Sequence, residues 1–252
     1  MNPSGGRILQ ATGRASQRLE GKPIPDPDAA KSTGLTEPCQ VAAGLFPVPV
    51  VACCSVADAA SGDVFPSEWQ VVASANPRRQ RDFLNGRVCA RACLRALGVP
   101  DRPLVVGERG LPIWPAGIGG SISHCDGLCV AIAARDTALR GIGIDAEARG
   151  RVRRDLEGLV LTAGERRAFA AQADLDPGDW LTVVFSAKEA FYKAQFPVTQ
   201  AFLGFQEVSV ALGDGSFSLT LERSLPGLGP AGSAFPGAFV LAERHILTGV
   251  VL

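Results

Sequence analysis

The stretch Trp180–Ala194, Trp-Leu-Thr-Val-Val-Phe-Ser-Ala-Lys-Glu-Ala-Phe-Tyr-Lys-Ala, constrains this chain more than any other. Wound at about 3.6 residues per turn, it gathers Val184, Ala187, Ala190, Phe191 and Ala194 on an apolar face. Ser186, Glu189 and Lys193 take the other side, with Lys188 on the flank. A helix anchored in this way holds one carboxylate beside two ammonium groups, a set able to converge on an anionic ligand that carries a metal ion. A solvated Glu189/Lys193 pair one turn apart is the competing reading. A second acidic element is needed to decide between them.

That element is Gly141-Ile-Gly-Ile-Asp-Ala-Glu147. Ile142, Ile144 and Ala146 alternate with Gly143, Asp145 and Glu147, so a strand sets both carboxylates on one face. Two hard oxygen donors two residues apart suit Mg2+, which is held by one or two carboxylates with water and substrate phosphate. Taken alone, the same pattern also describes an exposed strand end.

Gly-Ile-Asp-Ala-Glu followed by Phe-Ser-Ala-Lys-Glu-Ala-Phe-Tyr-Lys-Ala resembles the paired signatures of the 4′-phosphopantetheinyl transferase superfamily. The details are similar to its Sfp-type branch, nearest the enterobactin synthetase component D subgroup. Three further stretches share the likeness: Arg81-Asp-Phe-Leu-Asn-Gly-Arg-Val-Cys-Ala-Arg91, Gly120-Ser-Ile-Ser-His-Cys125, and the run from Phe196-Pro-Val-Thr to Leu203-Gly-Phe205 just after the helix. The resemblance covers residues 45 to 250. It implies an α/β (α+β) fold of two similar α/β halves packed face to face as a pseudo-dimer, active as a monomer. Residues 45–137 would form the half that binds coenzyme A phosphates, and 138–252 the half that carries magnesium and the catalytic groups. The boundary falls near Arg135 to Arg140.

The implied reaction is attack by a serine hydroxyl of an apo acyl, peptidyl or aryl carrier protein on the β-phosphate of coenzyme A, with 3′,5′-ADP leaving. Asp145, Glu147 and Glu189 would hold Mg2+, and Glu189 or a water on it would take the serine proton. Lys188 and Lys193 would offset charge on the bridging oxygen and the leaving phosphate. Arg81 first, then Arg87 and Arg91, match positions near the 3′-phosphate end of coenzyme A, and Ser123 and His124 match phosphate-binding positions. Many Sfp-type proteins have Gly-Lys-Pro where this chain has Gly110-Leu111-Pro112, so that lysine is absent, with Arg109 as a neighbouring substitute. The carriers served by the family belong to fatty-acid, polyketide, siderophore or nonribosomal peptide synthesis.

The rest of the chain is consistent with such a reading. At 252 residues, 46% of them hydrophobic, it has enough apolar material for one large or two small cores. A formal net charge of +0 gives no bias toward nucleic acid or membrane surfaces. Residues 1–44 are rich in Gly, Pro and Ser and read as a flexible or loosely packed extension without an apolar signal core, which points to a cytoplasmic protein. Seven cysteines without a Cys-x-x-Cys pair read as small buried hydrophobes rather than a disulfide or zinc framework.

Val48 to Ser55 reads as a strand, Pro66-Ser-Glu as a helix start, and Pro77 to Leu97 as a helix. That helix has Phe83, Ala90, Cys93, Leu94 and Leu97 on one side and Arg81, Arg87, Arg91 and Arg95 on the other, a stripe for phosphates or simply a solvated face. Gly117, Gly119 and Gly120 before Ser121-Ile-Ser-His allow close backbone approach to a ligand. A Ser123/His124/Asp145 hydrolase is disfavoured, because adjacent strand residues face opposite ways and no Gly-x-Ser-x-Gly elbow occurs. Arg149, Arg151, Arg153 and Arg154 form a basic loop suited to an acidic carrier, or a merely solubilising one. Thr162 and Glu165 make a capping box, Gly213-Asp-Gly215 marks a hairpin, and His245 lies in closing strands with a structural role. A coenzyme A or nucleotide binding protein without transfer is the reading from another class, against which the intact set of carboxylates and lysines argues.

Overall fold

The computed structural model describes residues 38–55, 63–135, 138–171 and 175–252. Two antiparallel sheets lie edge to edge, each backed by one long helix. The first has the order β1-β3-β2, from β1 (Val51–Ser55), β2 (Gly119–Cys125) and β3 (Leu128–Ala134). The second has the order β4-β8-β7-β6-β5, from β4 (Ile142–Ala148), β5 (Val208–Leu212), β6 (Ser216–Leu221), β7 (Ala234–Leu241) and β8 (His245–Val251). β2 and β4 are therefore facing edges, and the site forms at their junction.

β3 is apolar throughout because both of its faces are covered. Helix α1 (Pro38–Gly44) packs Cys39 and Ala42 with Val130 and Ile132 on one side. On the other, α3 (Pro77–Ala96) packs Cys89, Ala90, Cys93 and Leu94 with Ala131 and Ala133. Part of the expected N-terminal extension is thereby corrected: residues 38–44 are a core helix, since Cys39, Ala42 and the following Leu45 and Phe46 recur at helical spacing and bury together. Residues 1–37 of that expectation, and residues 136–137 at the expected boundary between halves, lie outside the described residues. All seven cysteines are free, and all but Cys125 are buried.

The short helix α2 (Pro66–Val72) opens on Pro66 as expected and supplies Glu68, which corrects the reading of the arginine stripe on α3. Arg91 turns inward to the Glu68 carboxylate and the Asp63 carbonyl, and Arg95 reaches Asp101 at 3.2 Å. A buried guanidinium needs such partners, so Arg91 is neither solvated nor available to a phosphate, whereas Arg95 stays exposed.

Beyond β4 come α4 (Glu157–Val160) and α5 (Ala163–Ala171), the latter opened by the expected capping box: Glu165 N donates to Thr162 Oγ1 at 3.2 Å and Thr162 N to Glu165 Oε2 at 2.6 Å. Helix α6 (Pro177–Thr199) then crosses the second sheet. It begins three residues earlier than the motif, where Asp176 caps Gly178 N at 2.8 Å and Pro177 occupies the first turn. Its last turn includes Phe196, Pro197, Val198 and Thr199, which the motif reading had placed after the helix, and Gln200 ends it in the left-handed conformation. Pro197 costs one intrahelical bond, tolerable in a final turn.

The glycines of Gly141-Ile-Gly143 decide how closely α6 approaches β4. A Cβ on Gly143 would stand 2.9 Å from Ala190 C and from Ala194 N, and one on Gly141 would stand 3.1 Å from Ala194 C. Only glycine lets helix backbone rest directly on the strand there, which brings the carboxylates of β4 within reach of the side chains of α6. The hairpin at Gly213 to Gly215 forms as expected, although its first strand starts at Val208 after a short helical turn, Phe205–Glu207.

Candidate active site at the sheet junction

Two serines of β2 join the sheets where no backbone ladder does. Ser121 Oγ accepts from Ile144 N at 3.1 Å and Ser123 Oγ from Ala146 N at 3.2 Å, satisfying the edge of β4. The same Ser123 hydroxyl donates to Asp145 Oδ1 at 2.8 Å and accepts from Lys193 Nζ at 2.8 Å. One donor and two lone pairs are then all used, so Ser123, expected to bind a phosphate, here holds Asp145 and Lys193 and is not part of the cavity wall.

Asp145 and Glu147 share a face of β4, as the alternation requires, but both are buried rather than at an exposed strand end. Asp145 Oδ1 also accepts from Lys193 Nζ at 2.7 Å, and Oδ2 accepts from Ser186 Oγ at 2.7 Å. Glu147 Oε2 accepts from Arg151 Nη1 at 2.8 Å. Burial first and Asp145 second push Glu147 up to about 7, and the same two causes raise Glu189. No hydrogen bond or ion pair among the described residues holds the Glu189 carboxylate, so the solvated Glu189/Lys193 pair does not form.

Lys188 is also corrected. Its buried ammonium donates to Val160 O, Glu165 Oε2 and Phe205 O, each at 2.8 Å, on a different side of α6 from Lys193. Five residues at 100° each separate the two lysines by about 140° around the axis, so they cannot converge. Lys188 instead fastens α6 to the ends of α4 and α5 and to the 205–207 turn.

Between the halves lies a cavity of about 910 Å³. From the first half come Arg79, Phe83, Arg87, Leu111, His124 and Gly117 to Gly120; from the second, Arg140, Gly141 and Lys193. The glycines expected to approach a ligand do line it, with Trp114 filling the space beside Gly120. Arg87 is buried, stacks its guanidinium 4.2 Å over the Phe83 ring, and has no partner for Nε. Burial lowers it to about 10. His124 is pulled below the usual histidine range, by burial more than Asp82 raises it, with Asp82 Oδ2 3.9 Å from Nδ1.

Of the other expected groups, Arg81 is exposed on α3 and is not part of the cavity wall. Arg109 is exposed with a left-handed backbone and lays its guanidinium 5.4 Å from the Phe196 ring, also off the wall. Arg79 and Arg140 were missed. Arg79 had a sequence signal, since residues 79, 83 and 87 recur every fourth position on α3; Arg140 had none. The basic loop is largely neutralised within the chain: Arg149 pairs with Asp179, Arg151 with Glu147 and Arg153 with Asp155. His245 is structural, with Nε2 3.1 Å from Asp126 O. No described helix is long and apolar enough to cross a membrane.

Comparison with known proteins joins this geometry to a family. Residues 67–134 match the model of the 4′-phosphopantetheinyl transferase N-terminal domain, and residues 141–228 that of the 4′-phosphopantetheinyl transferase superfamily. The chain is 36% identical over 193 residues to 4′-phosphopantetheinyl transferase Svp of Streptomyces mobaraensis, covering 75% of this chain and 78% of the relative. It is 33% identical over 198 residues to the transferase PptT of Mycobacterium tuberculosis, covering 74% and 85%. Against enterobactin synthase component D of Salmonella typhimurium the identity is 34% over 176 residues, covering 69% and 68%. With both models matched in order, one on each side of the sheet junction, the chain belongs to the 4′-phosphopantetheinyl transferase superfamily of enzymes.

Proposed function

We propose that the chain transfers the 4′-phosphopantetheine arm of coenzyme A to a serine hydroxyl of an apo acyl, peptidyl or aryl carrier protein, with 3′,5′-ADP as the other product. The observation that carries this reading is Lys193, one side chain that both lines the interhalf cavity and bonds to Asp145. It ties a space large enough for a nucleotide cofactor to a group of carboxylates. Arg79, Arg87, His124 and Arg140 supply the positive lining for phosphates, in place of the lysine absent at Leu111. The unpartnered Arg87 Nε supports this, because a buried donor is costly until a ligand completes it.

Asp145, Glu147 and Glu189 would hold Mg2+. Their fit rests on hard oxygen donors and on charge: three carboxylates face two internal cations, Lys193 and Arg151, and Glu147 and Glu189 are both raised. When bound, the ion neutralises the pyrophosphate and polarises the phosphorus under attack. Glu189, free of other bonds among the described residues, accepts the proton of the carrier serine. A bond forms from the serine oxygen to the β-phosphorus as the bond to the bridging oxygen breaks, and Lys193 offsets the charge on that departing oxygen. Lys188 keeps α4, α5 and α6 in register rather than touching phosphate. The segment holding Leu156 and Leu159, both exposed beside the basic loop, receives the carrier.

The test is intact mass spectrometry of apo peptidyl, polyketide and fatty-acid carriers incubated with the protein, coenzyme A and Mg2+. A gain of one phosphopantetheine, slowed at least about 100-fold by Glu189→Gln, is expected of a general base. Coenzyme A binding without gain on any carrier refutes transfer.

A further inference from the structure

One wall of the cavity is an irregular stretch, with Gly107, Leu111 and Trp114 among its lining residues. It folds back on itself as a small hairpin, in which Ile113 N donates to Val105 O at 2.9 Å and Gly107 N to Leu111 O at 2.8 Å. Val105 and Ile113 are more than half exposed, so their side chains do little to fix it. Leu104 at its base is buried, and its N–H donates to Glu68 Oε1 at 3.0 Å. Glu68 comes from α2 and is 2% exposed; its Oε2 accepts from Phe65 N at 3.3 Å and from Arg91 Nη1. The Arg91 guanidinium in turn lies 4.8 Å from the centre of the Phe65 ring. At the other end of the stretch the Trp114 ring lies against Gly120 of β2. Neither Glu68 nor Arg91 lines the cavity.

We propose that Glu68 is a positioning residue for coenzyme A that acts through the Leu104 amide: it sets the base of the 104–113 hairpin, and thereby where Gly107, Leu111 and Trp114 meet the ligand. The inference rests on the assignment of the cavity to coenzyme A above. A buried ion pair adds little stability over apolar residues of the same volume, because desolvation offsets the attraction. What Glu68 supplies that an apolar residue cannot is an acceptor for an N–H otherwise buried without one. Arg91 holds the carboxylate in the orientation that aims Oε1 at Leu104. The Arg91 position, expected near the 3′-phosphate, thus bears on coenzyme A through Glu68 and the wall rather than by contact.

Two neutral double variants of the full chain test this. Glu68→Gln/Arg91→Met keeps a side-chain oxygen for Leu104 N, and Glu68→Met/Arg91→Met has nearly the same shape and none. Removing both charges together leaves no buried ion unpaired, so the two variants are expected to melt within about 5 °C of each other. By calorimetry, coenzyme A should bind the Gln variant about as tightly as the parent and the Met variant about tenfold more weakly. KM for coenzyme A should rise by the same factor with kcat held, since Glu189 and Lys193 stand on the other half. Hydrogen exchange on the parent needs no variant: coenzyme A is expected to slow exchange across residues 104–113. Equal affinity in the two variants, or exchange at 104–113 that bound coenzyme A leaves unaltered, overturns the positioning role while the cavity assignment stands. A parent that binds no coenzyme A refutes that assignment, and the positioning role with it.

Discussion

Replacing Gly143 with alanine should push α6 off β4 and disable the site without touching a catalytic group. The new Cβ would stand 2.9 Å from Ala190 C and Ala194 N, backbone atoms that no rotamer change can move aside. The nearest atom, Ala190 O, would overlap the new methyl outright, and relaxed contacts lie at about 3.5–4.0 Å, so the helix must retreat by about 1 Å or more. That segment carries Glu189 and Lys193. The 2.7 Å bond from Lys193 Nζ to Asp145 Oδ1 would open past hydrogen-bond range. Overpacking of this kind costs about 1–3 kcal/mol, and at about 2–4 °C per kcal/mol for a chain of this size the melting midpoint should fall by roughly 2–12 °C. A displacement near 1 Å should lower turnover about 100-fold. Circular dichroism melts and initial rates of carrier mass gain measure both, with Gly158→Ala, where nothing lies within 4 Å of the new Cβ, as the companion substitution. A Gly143→Ala protein that melts within about 1 °C of the parent and keeps its rate would refute the close-approach argument.

Other perturbations separate the remaining roles. Lys188→Met leaves the buried Glu165 carboxylate without its cation, held only by the amides of Thr162 and Val210, and should cost about 3 kcal/mol in urea denaturation, with partial recovery in Lys188→Met/Glu165→Gln; no loss would refute the anchoring role of Lys188. Arg87→Met removes a buried guanidinium whose Nε has no partner, so KM for coenzyme A should rise about tenfold or more while the unfolding midpoint holds or increases; a lower midpoint with unchanged KM contradicts this. His124, depressed by burial, is uncharged at neutral pH and gains its proton only below the usual 6.5. Coenzyme A affinity measured by calorimetry should therefore rise as pH falls through that window, and the rise should vanish in His124→Gln. The unfolded chain takes that proton first, so the same residue opposes folding as pH drops below 6.5.

The sequence by itself determined the elements and most of the inventory. The 3.6-residue period of Trp180–Ala194, the alternation through Asp145 and Glu147, Pro66 at a helix start and the Thr162/Glu165 capping box are local patterns, and each formed because neighbouring residues suffice to specify it. Lys188, expected to converge with Lys193, was a misreading of that helix, since five helical positions set the two about 140° apart. Tertiary structure decided the partners. Lys193 pairs with Asp145 rather than Glu189 because Gly141 and Gly143 bring β4 against α6, a distance no helical spacing encodes. Ser123 became a brace because β2 and β4 meet as unpaired edges whose amides need acceptors. Arg91 was drawn to Glu68 from a separate helix, whereas Arg87 on the same stripe, and Arg140 from across the boundary, came to line the cavity. Hydrogen bonds and ion pairs are satisfied by whatever the packed fold sets nearby, and in this chain the packing of two sheet edges set the chemistry of the site.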